Sequence, residues 1–206
     1  MQTPKSFIGK VLKEVLSETV SVSDIVFVLP SKRACFFLQQ ELSLQLKETS
    51  FAPKIYNIES FVETISELEI INHTQLLFEF YEAYKETNPL ESIETIESVV
   101  SWSSPLLSDF NEIDAHLVDT YDFFSYLSNV KEVEHWYLQE ERTPLIQEYI
   151  SFWKSLPQLY DTFAKRLLNR GLAYQGLVYR EAIDTLEHYI EADTNKYHVF
   201  LGFNAL

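Results

Sequence analysis

The chain has 206 residues, 46% apolar and 15% aromatic, which excludes a disordered composition and suffices for the core of one large domain or one and a half ordinary ones. A single cysteine, Cys35, excludes an internal disulfide framework and a multi-cysteine metal site, and suits a reducing compartment. The net charge of −15 belongs to the middle of the chain: residues 1–65 carry seven acidic and seven basic side chains, residues 66–194 carry 24 against eight, and the last twelve add only Lys196. Affinity for nucleic acid rests mainly on Lys and Arg neutralising phosphates, so the middle region by itself is no DNA-gripping surface, while the balanced N-terminal part remains open to that role.

In chain order, Ser6 to Leu16 places Phe7, Ile8, Val11, Leu12, Val15 and Leu16 at helical spacing, with Lys10, Lys13 and Glu14 on the other side. The polar stretch from Ser17 to Ser23 reads as a linker. Ile25 to Leu29 is a continuous apolar run ended by Pro30, which predicts a strand buried on both faces of a parallel sheet. Ser31 is placed to cap the next helix, whose apolar positions include Phe36, Phe37, Leu38, Leu42, Leu44 and Leu46. A second short strand is expected at 54–56, and Asn57 to Ser60 lead into a helix beginning near Phe61. Helix, strand, helix, strand, helix is the order of a parallel α/β layer.

From Ser66 to Glu191 the pattern becomes helical, with no convincing strand. The predicted stretches are 73–87, 92–114, 119–128, 143–169 and 177–191, broken at Asn88-Pro89, Thr143-Pro144 and Gly171. Leu76, Leu77, Phe80, Tyr81 and Tyr84 share one stripe of the first. His198 to Phe203 returns to strand character. Its natural neighbours are the strands at 25–29 and 54–56, which makes the helical region an insertion between strands of one sheet. Two or three strands make a thin sheet, so the chain is expected to be cut from a longer one. No N-terminal stretch has a signal-peptide core and no window approaches eighteen apolar residues, which predicts a soluble, cytoplasmic protein without a membrane partner.

Five blocks in order, VFVLPSKRACFFLQQEL, IYNIESFVETI, SWSSPLLSDFNEIDAHLVD, NRGLAYQGLVYREAI and HVFLGFNAL, carry a family resemblance across nearly the whole chain. Together they resemble the N-terminal region of AddB-like proteins of the Bacteroidetes type. These are DNA-repair and recombination proteins with superfamily 1 helicase-like modules and a C-terminal PD-(D/E)XK nuclease. The resemblance implies a partial RecA-like, P-loop-like parallel sheet interrupted by a large all-helical insertion. The domains would be a degenerate helicase domain, 1–65 plus 195–206, and an acidic insertion, 66–194. It also implies a catalytic AddA-like helicase-nuclease subunit, DNA and the remainder of its own chain as partners.

Two departures from catalytic helicases bear on activity. Walker A loops cradle phosphates with a glycine-rich backbone and a lysine. Here Gly9-Lys10 is followed by Val11, lacks a glycine five positions earlier and follows no strand. The final strand, Phe200 to Asn204, holds none of the carboxylates that coordinate Mg²⁺ and position water. With both ends of the ATPase site missing, the segment is expected to be no enzyme and to need no cofactor, its parent being an ATP-independent nuclease subunit.

Candidate chemistry is sparse. Ser31, Lys32 and Arg33 lie between a parallel strand and a helix start, where N–H groups favour a phosphate. They resemble the helicase motif that contacts single-stranded DNA backbone, or they are an N-cap followed by two solvated cations. Asp109, Glu112 and His116 fall at i, i+3 and i+7, either as metal ligands or as a solvated flank beside a core stripe. Asp114 and Asp119 are placed to cap or to pair with scattered bases. Cys35 reads as buried filler, and the five histidines (His73, His116, His135, His188 and His198) show no ligand spacing. Trp102, Tyr121, Phe123, Phe124, Tyr126, Trp136, Tyr137 and Trp153 either stack bases or, in so acidic a region, pack helix cores. The expected function is a non-catalytic scaffold that guides DNA in a break-repair nuclease-helicase. The rival is an acidic helical protein-interaction module that touches no DNA.

Overall fold

Ile25–Leu29 forms β1, which is buried along its whole length in the computed structural model. The structure describes residues 6–17, 21–46, 50–88, 93–136 and 144–203, with the backbone alone for 128, 131–136 and 144–150. A strand covered on both faces needs apolar side chains at every position rather than at alternate ones. β1 is the centre of a three-stranded parallel sheet ordered β2-β1-β5, with β2 at Lys54–Asn57 and β5 at Tyr197–Phe200. Phe27 lies level with Ile55 on one side and Val199 on the other.

One face of this sheet is closed by α1 (Phe7–Val15) and α2 (Lys32–Gln45), where Leu12, Leu38 and Leu42 join Ile25, Phe27, Leu29 and Leu201 in one core. Val26 and Val28 point to the opposite face by the alternation of a strand, as do their register partners Tyr56, His198 and Phe200. There α3 (Ile58–Ser66) brings Phe61, whose ring meets those of Tyr56, His198, Phe200 and Tyr189 at 5.6–6.2 Å. Tyr189 comes from α9 (Leu186–Ala192), and its hydroxyl is 2.9 Å from His198 Nε2.

The chain divides into two compact units, Met1–Ile65 with Thr185–Leu206, and Ser66–Asp184. The second unit is built from α4 (His73–Thr87), α5 (Ile96–Ala115), α6 (Thr120–Trp136), α7 (Pro144–Leu168) and α8 (Gln175–Asp184). Asn72 and Gln75 form a reciprocal capping box that starts α4. Phe80, Phe110 and Phe163 are fully buried and touch edge to face or tilted at the centre of the unit. Gly171, at φ 66, takes the left-handed position that ends α7, as its place after the helix predicts. The architecture is therefore α/β and mostly helical, with a small parallel sheet.

Three readings of the sequence are corrected. The helical region contains a strand pair after all, β3 at Glu69–Ile70 and β4 at Leu172–Ala173, parallel and too short to show a period. The stretch 177–191 is two helices, α8 and α9, parted at Thr185, whose hydroxyl donates to the Ile65 carbonyl at 2.9 Å. The helix expected near Phe61 begins at Ile58, directly after β2. Among the apolar positions of α2, Phe36, Phe37 and Leu44 are exposed. Leu38 and Leu42, four apart, set the stripe of α2 that faces β1, and those three side chains fall off it. The proposed start of α5 at residue 92 lies outside the described residues, as does Tyr137.

Candidate functional site

The carboxyl end of β1 starts the site. Pro30 has no N–H to continue the ladder, so the chain leaves the sheet there. Ser31 is extended, at φ −155 and ψ 156, and its hydroxyl accepts from the Ala34 N–H at 3.2 Å. The Cys35 N–H donates to the Ser31 carbonyl at 3.1 Å, closing the first turn of α2. The helix thus begins immediately beyond the central strand, with its remaining unpaired N–H groups at the edge of the sheet. Ser31, Lys32 and Arg33 are all exposed, and the Arg33 guanidinium lies 5.6 Å from the Phe37 ring centroid.

Lys32 lines a shallow cleft of about 300 Å³ together with Phe36, Gln39, Tyr56, Asn57 and Ser60. The sequence had not brought these residues together. β2 runs straight into α3 without a loop, so a second helix start opens at the carboxyl edge of the sheet. Asn57 is buried there and donates from Nδ2 to Glu59 Oε2 at 3.3 Å. The available signal was the strand KIYN followed at once by a helix, the same form as IVFVL running into PSKR. β2 and β5 flank β1 on opposite sides, and open parallel sheets bind ligands outside the carboxyl ends of such strands. A lysine, two helix starts and the exposed ring of Phe36 offer a phosphate counter-charge, N–H donors and a stacking surface in one place.

The remaining candidates are placed as follows. Gly9 lies inside α1, and its N–H is taken by the Ser6 hydroxyl at 3.0 Å, a helix cap rather than a phosphate loop. Cys35, expected as buried filler, is half-buried: it packs against the β1 core and lines the cleft beside Lys32, and burial pushes its thiol up, away from a reactive thiolate. Asp109 and Glu112 on α5 and His116, the C-cap of that helix, are exposed at one rim of a cleft. Among the described residues, no group of three or more His, Cys, Asp or Glu side chains is disposed to hold a metal ion. Phe124 is buried, and Trp102 packs edge-on to Phe80, Tyr84 and Phe152, but Tyr121 and Tyr126 are exposed. The side chains of Trp136 and His135 lie outside the described residues, as does Asn204.

Asp119 caps α6, accepting from the Asp122 N–H at 2.9 Å. Asp114 is fully buried and pairs with Arg180, whose Nε lies 2.7 Å from Oδ1. The hydroxyls of Tyr160 and Tyr174 also donate to its two oxygens. Arg180 spends its Nη2 on the carbonyls of Ile113 and Val118, at 3.2 and 2.7 Å. Desolvation, followed by the Asp114 charge and its hydrogen bonds, drives both phenols well above their ordinary range. Every partner in this group is used internally, which makes it the clamp of the helical unit rather than a site of chemistry.

An α/β chain with a small parallel sheet and an exposed strand-to-helix turn is the class that fold and site define. No family model and no curated protein matches it. Among the described residues, no helix is long and apolar enough to cross a membrane.

Proposed function

We propose that this chain is a non-catalytic, helicase-like module of an AddB-type DNA-repair protein, and that its sheet-bearing unit guides single-stranded DNA. In this reading the small sheet is a degenerate RecA-like domain, the acidic helices are its insertion, and the protein works in the cytoplasm with an AddA-like catalytic subunit. The observation that carries it is the exposed Ser31-Lys32-Arg33 turn at the carboxyl end of the central strand, beside the Asn57–Ser60 helix start. It is supported by the five sequence blocks and by a charge distribution that keeps the acid out of this unit. Residues 1–65 and 185–206 carry ten acidic and eight basic side chains, against 21 and eight in 66–184.

Lys32 and Arg33 would hold the phosphate backbone at the exposed start of α2 beside the start of α3, and Phe36 would meet an unpaired base. Titrating a labelled oligonucleotide over a range of salt tests this. Binding should weaken with salt, and Lys32→Ala with Arg33→Ala should lower the slope of log K against log salt by about one to two contacts. A chain that does not bind single strands at low salt, or a double variant with an unchanged slope, would sink the assignment.

A further inference from the structure

Between α5, α6 and α7 the helical unit opens a cleft of about 550 Å³. Its floor is apolar, formed by the buried side chains of Phe110, Ile113, Phe124 and Leu156. Its α5 wall carries Asp109, Glu112 and His116, all exposed, at i, i+3 and i+7. That spacing climbs along one flank for roughly two helical turns, about 10 Å. Among the described residues no ion pair engages Asp109 or Glu112. In the same unit Glu79, Glu86 and Asp114 are taken by Arg166, Arg170 and Arg180.

The unit around the cleft carries 21 acidic and eight basic residues. Such a surface repels polyanions, so a nucleic acid does not suit it. An apolar floor beside uncompensated carboxylates matches a segment that is apolar on one stripe and cationic on its border. The connection between α5 and α6, whose Val118 lines the cleft, holds Leu117 exposed at φ 54, a conformation that a leucine adopts only under strain.

We propose that this cleft docks a basic amphipathic α-helix from a partner protein. Its apolar stripe would seat on the part-exposed side chains of Leu106, Phe123 and Leu127, and its Lys or Arg side chains would reach Asp109 and Glu112. This goes beyond the DNA-guiding reading and does not depend on it, since every residue involved lies in 66–184.

The test uses the full chain and three labelled peptides of about 18 residues, long enough to form a helix on binding. One carries Leu at i, i+3, i+4 and i+7 with Lys and Arg on the flanks; the second has Glu for every cation; the third has Gln for every Leu. Fluorescence anisotropy should show the first binding at least about tenfold more tightly than either of the others. Asp109→Lys with Glu112→Lys should weaken it about tenfold, while the control pair Glu97→Lys with Asp161→Lys, equal in charge, should change it less than about threefold. All four positions are solvent-accessible, and circular dichroism verifies the fold of each variant. Equal binding of the Gln peptide, or equal losses from the two charge reversals, would reduce the effect to general electrostatics and overturn the proposal. Absence of binding by the first peptide up to about 100 μM would overturn it as well.

Discussion

In the sheet-bearing unit, the core around β1 is wholly apolar: Leu12, Ile25, Phe27, Leu29, Leu38, Leu42 and Leu201 touch without a charged member. The helical unit closes its core around a fully buried carboxylate, Asp114, held by Tyr160, Tyr174 and Arg180. The two kinds of core constrain a chain differently. Apolar packing is non-directional, so a β1 core is satisfied by any side chains of suitable size. A buried carboxylate is satisfied only if its donors arrive from α7, α8 and the residue before α8 in one geometry. The surfaces differ as well. The first unit leaves apolar rings such as Phe7, Phe36 and Phe37 in solvent around its open sheet edge, and the second surrounds its core with acid.

The contrast can be broken most directly at Asp114. Asp114→Ala leaves Arg180 and two phenols without their acceptor and should cost the helical unit about 3–5 kcal/mol. All three tryptophans lie within 66–184 and the single cysteine lies in α2, so each unit has its own probe. In a guanidinium titration the tryptophan fluorescence transition should move to lower denaturant, while pulse labelling of Cys35 should keep its midpoint. Equal shifts of both would mean one cooperative block and would erase the distinction between the units.

Alkaline pH sharpens the comparison next. Burial raises the phenols of Tyr84, Tyr160 and Tyr174 in the helical unit above the ordinary value of 10, and in the sheet-bearing unit Tyr189 is pushed up to about 12, first by burial and then by Asp193. A phenol that stays protonated in the folded state but ionises in the unfolded one contributes stability fully present below pH 10 and lost as pH rises towards the folded value. The fluorescence-monitored stability should therefore begin to fall as pH rises past 10, and Tyr160→Phe should make that fall shallower. An alkaline limb unchanged in the variant would remove Tyr160 from the account.

The smallest effect concerns the turn that carries Val118. Leu117 N–H donates to the Asp114 carbonyl and Val118 N–H to that of Ile113, at 3.0 and 2.9 Å, a helix stop with the left-handed position held by leucine instead of glycine. Leu117→Gly should relieve that strain and, after the added freedom of the unfolded chain, raise the stability of the helical unit by about 0.5 kcal/mol. A loss of stability would show that leucine packing at this turn outweighs its backbone cost.

Local chemistry determined much of this protein. Ile25 to Leu29 reads as a doubly buried strand because five apolar residues in succession have no other stable place, and Ser31 reads as a cap because its hydroxyl needs only the next turn of its own helix. The 73–87 helix and the left-handed Gly171 are legible for the same reason, since every contact that defines them lies within a few residues. Only the tertiary structure decided which side of α2 faces β1, since Phe36 and Phe37 are as apolar as Leu38. The two-residue strands β3 and β4 have no period to display, and each exists because the other lies beside it a hundred residues away in the chain. Asp114 and Gly176 show the same limit. Nothing near Asp114 in sequence marks it as the buried partner of Arg180, and Gly176 matters because a Cβ there would strike the Asn111 carbonyl of α5. These are long-range meetings of side chain and backbone, and a sequence pattern records only what neighbours along the chain require of one another.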